Sequence, residues 1–280
     1  MKQILLPTDF SENAWNATQF ALELYRDDPC TFHFLNTYTP AIVHSRFMAV
    51  NTEGRLLEDT LNSASEEGLK ALLDRIKQTH FNPNHHFNTI SSFSLLTEEV
   101  REAVREYNID LIITGTLGAS GLKEVFIGSN TVRIIKASRL CPVVAVPHNY
   151  VFNKPKEIAL VTDLRRTFHA GIIKPLKEIA THLGASIRIM HIKEEKQLDK
   201  YQRSNLSILE EYLADVPTTV HWMPFFANKS VVIQTFLEEL GIDLLAMINY
   251  KHGFLEELTR EPVIKKIAFH TNIPLLTIPD

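Results

Sequence analysis

The residues best suited to bind phosphate lie in one glycine-rich window, GTLGASGLKEVFIGS, residues 115–129. The window holds four of the chain's ten glycines, namely Gly115, Gly118, Gly121 and Gly128. Glycine lets backbone N–H groups come close to a ligand. Gly128 and Ser129 then open a helix-like pattern, and free N–H groups at a helix start attract phosphate. Because the strand-like run DLIIT leads into the window, the spacing predicts a phosphate-binding loop between a strand and a helix.

The sequence elements around this loop occur twice in the chain. KQILLPTDF, which ends at Phe10, matches KEIALVTDL, which ends at Leu164. Two further matches are YNIDLIITG (107–115) with LGIDLLAMI (240–248), and LCPVVAVP (140–147) with NIPLLTIP (272–279). Matched segments in the same order predict a tandem repeat. We place the two domains at residues 1–149 and 150–280.

Each repeat alternates strand-like with helix-like patterns. Runs such as ILL, DLIIT and VVAV are continuously apolar, which indicates parallel strands covered by helices on both faces. The order predicts the α/β class, with two tandem doubly wound, Rossmann-like or flavodoxin-like domains, each built on a five-stranded parallel sheet. Ser11 is expected to cap the first helix. Pro175 is expected to kink or delay a helix near 168–183.

Composition and charge exclude several classes of protein. The formal net charge is −4 and no block of five like charges occurs, so a basic nucleic-acid-binding face is not indicated. No apolar run approaches the roughly 18 residues of a membrane span, and MKQILLPTDFSEN lacks the apolar stretch of a signal peptide. Cys30 and Cys141 do not form a CxxC motif, so buried, reduced thiols are expected. We expect a cytoplasmic protein without nucleic acid, membrane or a metal site made by its own side chains.

The glycine spacing narrows the choice of ligand. A Walker A loop would continue with Gly-Lys-Ser or Gly-Lys-Thr, and the dinucleotide motif would read GxGxxG; this window has neither pattern. Its spacing, G-x2-G-x9-G-S, occurs together with PTDFS after the first strand and the ending CPVVAVP. The combination closely resembles the universal stress protein (UspA) family. The resemblance covers nearly the whole chain, which looks like a tandem member.

The resemblance implies an adenine nucleotide site in the first domain and an adenine nucleotide alpha hydrolase-like fold. The implied contacts are Pro7, Thr8, Asp9 and Thr37 around adenine, Thr114 and Gly115 at the ribose, and Gly118, Gly128, Ser129, Asn130 and Thr131 on the phosphates. The implied ligand is ATP, or ADP or AMP, with Mg²⁺ or Mn²⁺ on the phosphates. Family members pair their last strands between protomers. Here the two halves would pair as an intrachain pseudo-dimer, and two tandem chains as a homodimer.

The second repeat keeps Asp163 at the position of Asp9 but loses the glycines. The replacements are Ile248 for Gly115, Lys251 for Gly118, Arg260 for Gly128 and Glu261 for Ser129. Side chains at these positions would block close backbone approach. The Glu261 carboxylate would lie at the helix start, where a phosphate belongs. We expect no ATP-type ligand in this half, which leaves either a small basic pocket or a solvated loop at Lys251, His252 and Arg260.

The resemblance implies a stress-response protein that signals through nucleotide-dependent conformational change. Nucleotide would order residues 115–128 and alter a surface for an unidentified protein partner. Ser120 does not fit the GxSxG elbow of hydrolases, and no general base is evident, so we expect at most slow ATP hydrolysis. The alternatives are a nucleotide-independent interaction or scaffold module, and a slow ATPase or adenylate-handling transferase. Fold alone does not choose between them.

Overall fold

Strands and helices alternate along the chain as the sequence predicts. The structure is a computed structural model that describes residues 1–38, 57–116, 128–139, 141–193, 197–250 and 272–280. The elements of the first half are β1 (Lys2–Pro7), α1 (Glu12–Leu24), β2 (Cys30–Thr37), α2 (Leu57–Thr79), β3 (His85–Ser92), α3 (Leu96–Glu106), β4 (Leu111–Gly115), α4 (Ser129–Ala137) and β5 (Val143–Val146). Those of the second half are β6 (Glu157–Val161), α5 (Ala170–Leu183), β7 (Ser186–Lys193), α6 (Lys200–Tyr212), β8 (Thr218–Pro224), α7 (Lys229–Glu239), β9 (Leu244–Asn249) and β10 (Leu275–Pro279).

The described strands form one ten-stranded sheet in the order β3-β2-β1-β4-β5-β10-β9-β6-β7-β8. Neighbouring strands within each half run parallel. Only β5 and β10 pair antiparallel, with Leu275 opposite Ala145 and Thr277 opposite Val143. The doubly wound α/β fold, and the pairing of its two halves within one chain, are therefore confirmed.

Helices cover both faces of the sheet, which explains the continuously apolar strands. Successive strand residues point to opposite faces, so Ile4 and Leu6 belong to one core cluster and Leu5 to another. On the first face, Phe20 of α1 and Leu176 of α5 lie in a single cluster that spans both halves. On the other face the two halves have separate clusters, except that Ala145 of β5 belongs to the cluster of the second half. The two halves therefore share a core on the side of α1 and α5.

The Ile-Asp pairs at the start of β4 and β9 have the same structural role in both halves. The Asp110 carboxylate accepts a hydrogen bond from the Gln3 amide at 2.8 Å, and the Asp110 amide donates to the Gln3 carbonyl at 2.9 Å. Asp243 repeats both contacts with Glu157, at 3.0 Å and 2.9 Å. Each aspartate thus fastens the start of a central strand to its parallel neighbour.

Two expectations about helix ends are settled by the described geometry. The Ser11 side chain accepts from the Ala14 amide at 3.2 Å, so the predicted N-cap of α1 is confirmed. Helix α5 begins at Ala170, two residues later than the pattern predicts, and continues through Pro175 to Leu183. Proline lacks an N–H group, so one intrahelical hydrogen bond is lost there without ending the helix.

Both cysteines are buried and free, as the sequence predicts. Burial raises the pKa of the Cys30 and Cys141 thiols to about 12 each, so both stay protonated and unreactive near neutral pH. Within the described part of the chain, none of the helices has the length and apolar character needed to cross a membrane.

His33 is held as a neutral ring in the middle of β2. Its Nε2 lies 2.7 Å from the Gln3 Oε1 atom, and its Nδ1 lies 3.1 Å from the Asn88 amide nitrogen. The amide nitrogen can only donate, so Nδ1 must accept and Nε2 must carry the proton. Burial lowers the pKa of His33. Protonation would break the bond to Asn88 and place a charge in the core.

We expect the free energy of unfolding to decrease as the pH falls below about 6.5, the ordinary imidazole pKa. The unfolded chain takes up a proton there that folded His33 rejects, so the stabilisation is present above that pH and is lost below it. Urea unfolding over a pH series should show that the free energy of unfolding falls less steeply toward acid pH for His33→Gln than for the wild type. The control is His86→Gln, at an exposed position on β3, which should keep the wild-type slope. Identical slopes for His33→Gln and wild type would contradict this assignment.

Candidate functional site

The predicted site residues meet at the carboxyl ends of three neighbouring strands. Pro7 ends β1, Thr37 ends β2 and Gly115 ends β4, and β1 lies between the other two. After β1 the chain turns toward β2 in one direction, while β4 lies on the other side. Such a switch point opens a crevice beyond the strand ends, where α/β proteins bind ligands.

The β1–α1 turn carries Thr8 and Asp9 at the mouth of this crevice. The Thr8 amide donates to the Leu35 carbonyl at 2.8 Å, and the Asn36 side-chain amide donates to the Thr8 carbonyl at 2.7 Å. The exposed Asp9 accepts from the Ser11 amide through Oδ1 at 3.1 Å. The turn is thus fastened to β2 on one side and to the start of α1 on the other. Sequence reasoning missed Asn36, whose position one residue before the strand end was its only signal.

Phe10 completes the turn in a left-handed conformation, with φ of 61°. This region is strained for a bulky side chain, so tertiary contacts must hold it. The Phe10 ring lies against Gly68 of α2, where an added Cβ would come within 2.5 Å of the ring atoms. A glycine on α2 therefore lets the helix approach the turn that presents Asp9. Sequence reasoning missed this long-range contact.

Gly115 has an internal neighbour that the sequence does not reveal. A Cβ at this position would overlap the side-chain amide of Asn13, a buried residue of α1. The sequence suggested that Gly115 is needed for close approach of a ligand. The described packing supplies another reason, because any side chain at 115 would push the Asn13 side chain away from β4.

The start of α4 lies beside the end of β4. The Thr131 hydroxyl donates to the Gly115 carbonyl at 2.7 Å, and the Gly128 amide donates to the Thr116 carbonyl. Thr131 is buried, and its hydroxyl proton is committed to this bond, which points to a positioning role. Ser129 and Asn130 are exposed at the helix start.

The N-terminus of α4 is electrostatically suited to an anion. Its first turn carries no acidic residue. Its N-cap residue is Gly128, and no described side chain accepts a capping hydrogen bond from the helix start. The unpaired N–H groups and the helix dipole leave partial positive charge at this end. Thr116, one residue beyond β4, is buried and its hydroxyl has no hydrogen-bond partner in the described structure. Buried polar groups are nearly always satisfied, so this hydroxyl can bind a partner that lies outside the described residues.

Some predicted residues are not tested by this geometry. Gly118 lies outside the described residues, as do the second-half replacements at Lys251, Arg260 and Glu261, and also His252. Thr114 is buried, and its hydroxyl lies 3.4 Å from the Gly115 carbonyl oxygen. The described residues therefore bring together the β1 turn, the ends of β2 and β4, and the start of α4.

The second half repeats the turn but not the strand end. Leu164 has φ of 58° and so repeats the left-handed conformation of Phe10. The Arg165 amide donates to Asp163 Oδ1 at 3.0 Å, as the Ser11 amide donates to Asp9 in the first half. At the position of Gly115, however, Ile248 is buried in the core opposite Ile278 of β10.

Tyr250, just beyond β9, adds an aromatic ring at this end of the second half. Its ring packs against the shared core, with the Arg166 guanidinium 5.0 Å from the ring centroid. Burial raises the pKa of the Tyr250 hydroxyl. Large apolar side chains thus lie beside the β9 end, where the first half has a glycine.

We expect Gly115→Ala to destabilise the fold by roughly 1–3 kcal/mol, the usual cost of overpacking. Replacing Asn13 with alanine makes room for the new Cβ, so the double variant should be more stable than the two single costs predict. A double-mutant cycle measured by urea unfolding tests this. Gly171→Ala on α5 is the control, since a Cβ there meets its nearest neighbour at 3.4 Å. Additive costs for Gly115→Ala and Asn13→Ala would show that the two residues do not restrict each other.

Comparison with known proteins gives a matching family model and related sequences. The sequence model of the universal stress protein family matches residues 1–147. Universal stress protein MJ0531 of Methanocaldococcus jannaschii is 27% identical over 158 residues, which cover 56% of this chain and 84% of the relative. Universal stress protein YxiE of Bacillus subtilis is 25% identical over 146 residues, covering 51% of this chain and 97% of the relative.

A solved structure extends the similarity of fold to both halves. The crystal structure of a universal stress protein from Archaeoglobus fulgidus aligns with a TM-score of 0.69 and 18% identity. The alignment covers 99% of this chain and 96% of that one. Because the family model matches residues 1–147, which are more than half of the chain, the chain belongs to the universal stress protein family.

Proposed function

We propose that this chain is a tandem universal stress protein whose first domain, residues 1–149, binds ATP or another adenine nucleotide. The second domain, residues 150–280, serves as a degenerate partner that binds no such ligand. The observation that carries the proposal is the convergence of the β1 turn, the β4 end and the uncapped start of α4 at one switch point. A nucleotide needs these features together, because its base and its phosphates are chemically different ends of one ligand.

The base end of the ligand would lie between the β1 turn and β2. Asp9 and Thr37 would contact adenine, with Pro7 and Thr8 beneath it. The anchoring of Thr8 to Leu35 and Asn36 supports this, since a turn whose backbone is held by hydrogen bonds presents its side chains in a fixed direction. Thr114 and Gly115 would meet the ribose at the β4 end.

The phosphate end would lie at the start of α4. Gly118, Gly128, Ser129 and Asn130 would hold the phosphates through N–H and hydroxyl groups, with the Thr116 hydroxyl as an added donor. Thr131 would act by fastening α4 to Gly115. Within the described residues no three His, Cys, Asp or Glu side chains gather to hold a metal ion. A Mg²⁺ or Mn²⁺ ion would therefore be held chiefly by phosphate oxygens and water, as is common for Mg²⁺ with nucleotides.

Signalling would follow from what the ligand connects. Helix α1 packs Asn13 against the end of β4. The carbonyl oxygen of Leu24, the last residue of this helix, lies 2.8 Å from the Nε2 atom of His182 in the second half. A nucleotide that draws α4 and the β1 turn together would therefore act on a helix that reaches the other half. We propose a conformational response read by a protein partner, with at most slow ATP hydrolysis. Because β5 and β10 pair with each other, a homodimer of tandem chains would use a surface other than this seam.

We expect Asp9→Ala to weaken ATP binding about tenfold or more, because a hydrogen bond to a charged group contributes roughly 1.5–3 kcal/mol. Asp163→Ala is the matched control, since it removes the same type of turn contact, here to the Arg165 amide, in the second half. Isothermal titration with Mg²⁺-ATP should show weakened binding for the first variant only. Gly128→Arg should abolish binding. Equal affinities for the wild type, Asp9→Ala and Gly128→Arg would show that ATP does not bind at this site, and absence of binding by the wild type would favour a scaffold without nucleotide.

We expect ATP to slow amide hydrogen exchange across residues 115–132, because the ligand would occupy N–H groups of the loop and the helix start. Exchange measured by mass spectrometry with and without Mg²⁺-ATP tests the response. Segments of β7 and β8, at the far side of the sheet, provide the internal control. Unchanged exchange in 115–132 under saturating ATP would exclude signalling by this segment.

A further inference from the structure

A crevice lies on the seam between the two halves, at the amino ends of the first-half strands. The candidate site lies at the carboxyl ends of the same strands. Its cavity of about 290 Å³ is lined by Ile109 and Leu111 of the first half and by Pro175 and Ile179 of α5, among others. It adjoins a groove of about 690 Å³ that runs along α5 toward Tyr212. Ile109, Leu111 and Ile179 are buried. The crevice therefore has an apolar floor, and its walls are polar, with Asp28, Asp110 and His182 among the lining residues.

The corresponding place on the other half is filled by the segment that joins β5 to β6. Tyr150 and Phe152 of this segment pack edge-on against Phe20 of α1, with ring centroids 5.8 Å and 5.6 Å away. The pKa of Tyr150 is raised, chiefly by burial and also by the negative charge of Asp243. The same segment ends beside Asp243, because the Lys156 amide donates to the Asp243 carboxylate at 2.8 Å.

The matching helices of the two halves identify the crevice as the counterpart of the Tyr150 site. Helix α1 ends at Leu24 and helix α5 ends at Leu183. Counted back from these ends, Ile179 takes the place of Phe20. Ile179 and Asp110 both line the crevice, whereas Phe20 contacts Tyr150 and Asp243 accepts a hydrogen bond from the end of the same segment. One of two equivalent places thus holds an aromatic side chain of the linking segment, and among the described residues the other is open.

The rim of the crevice is charged and accessible. Lys2 pairs with Glu178 at 2.7 Å, and Lys177 in the adjoining groove pairs with Asp215 at 2.6 Å. These pairs are partly exposed, so each contributes little to stability and can rearrange at little cost. An apolar floor within a polar rim is the arrangement in which single aromatic side chains dominate binding between proteins.

We propose that this crevice binds an aromatic side chain of a segment from a protein partner, whose backbone lies in the groove along α5. The occupant is inferred from the chain's own solution at the equivalent place. The proposal does not depend on nucleotide binding, and neither result decides the other.

The probe is a fluorescently labelled peptide with the sequence PHNYVFNKP, which is residues 147–155 of this chain. Titrated with the full chain, it should show saturable binding by fluorescence anisotropy. A peptide with alanine at the tyrosine and phenylalanine positions should bind at least about tenfold more weakly, as expected for anchor residues. Absence of binding by the first peptide would overturn the proposal.

A variant of the chain locates the bound peptide. Gly171 lines both cavities, and a Cβ there meets only the His169 ring among atoms within 4 Å. Gly171→Phe should fill the crevice and weaken binding at least about tenfold, whereas Gly171→Ala should not. Undiminished binding to Gly171→Phe would mean that the peptide displaces the native segment from Phe20, which contradicts the proposal.

A crosslinking measurement on the wild-type chain covers the case in which Gly171→Phe does not fold. A photoreactive phenylalanine at the tyrosine position of the peptide should crosslink to α5, as located by mass spectrometry. Crosslinks confined to α1 would place the peptide at Phe20 and overturn the proposal.

Discussion

The antiparallel pairing of β5 with β10 is the contact on which the arrangement of this molecule depends. It joins two sheets of five strands whose directions are otherwise parallel, and so it reverses one half relative to the other. The carboxyl ends of the two sets of strands therefore lie at opposite edges. The same reversal places α1 and α5 side by side over one shared core. The position of the two strand-end regions at opposite edges and the seam crevice both follow from this geometry.

The two halves show how one fold can keep its scaffold and change its site. Asp110 and Asp243 fasten the central strands in the same way, and Phe10 and Leu164 adopt the same left-handed turn. The difference is concentrated at the β4 and β9 ends. Gly115 leaves room for Asn13, whereas Ile248 fills the core. Burying an isoleucine adds apolar contact, so loss of the glycine is compatible with a stable second half.

Much of the fold could be predicted from local patterns. Continuous apolar runs predicted parallel strands, and the repeated Ile-Asp and Thr-Asp pairs predicted the order of the elements. Ser11 predicted the start of the first helix. The carboxyl ends of parallel strands share an edge, so the meeting of Asp9, Thr37 and Gly115 also followed. The pairing of β5 with β10 was predicted from the resemblance to a family, because no local sequence pattern identifies the antiparallel partner of a strand.

What could not be predicted depends on contacts between distant residues. Asn13 restricts Gly115 across more than a hundred residues of sequence, and the Phe10 ring requires Gly68. The buried Thr116 hydroxyl is visible only once its surroundings are known. The interpretation of Gly115 changed for the same reason, since glycine spacing alone does not distinguish ligand approach from internal packing. The domain boundary at residues 149 and 150 likewise did not indicate that Tyr150 and Phe152 pack against Phe20.

The most direct test of the central claim is the stoichiometry of nucleotide binding. Nucleotide-stripped protein, verified as folded, would be titrated calorimetrically with Mg²⁺-ATP, and active concentration would be fixed independently. The account predicts one site per chain, because only the first half combines the glycine at the β4 end with an α4 start suited to phosphate. Two sites per chain would contradict the assignment of the second half as degenerate. No binding would contradict the nucleotide site itself.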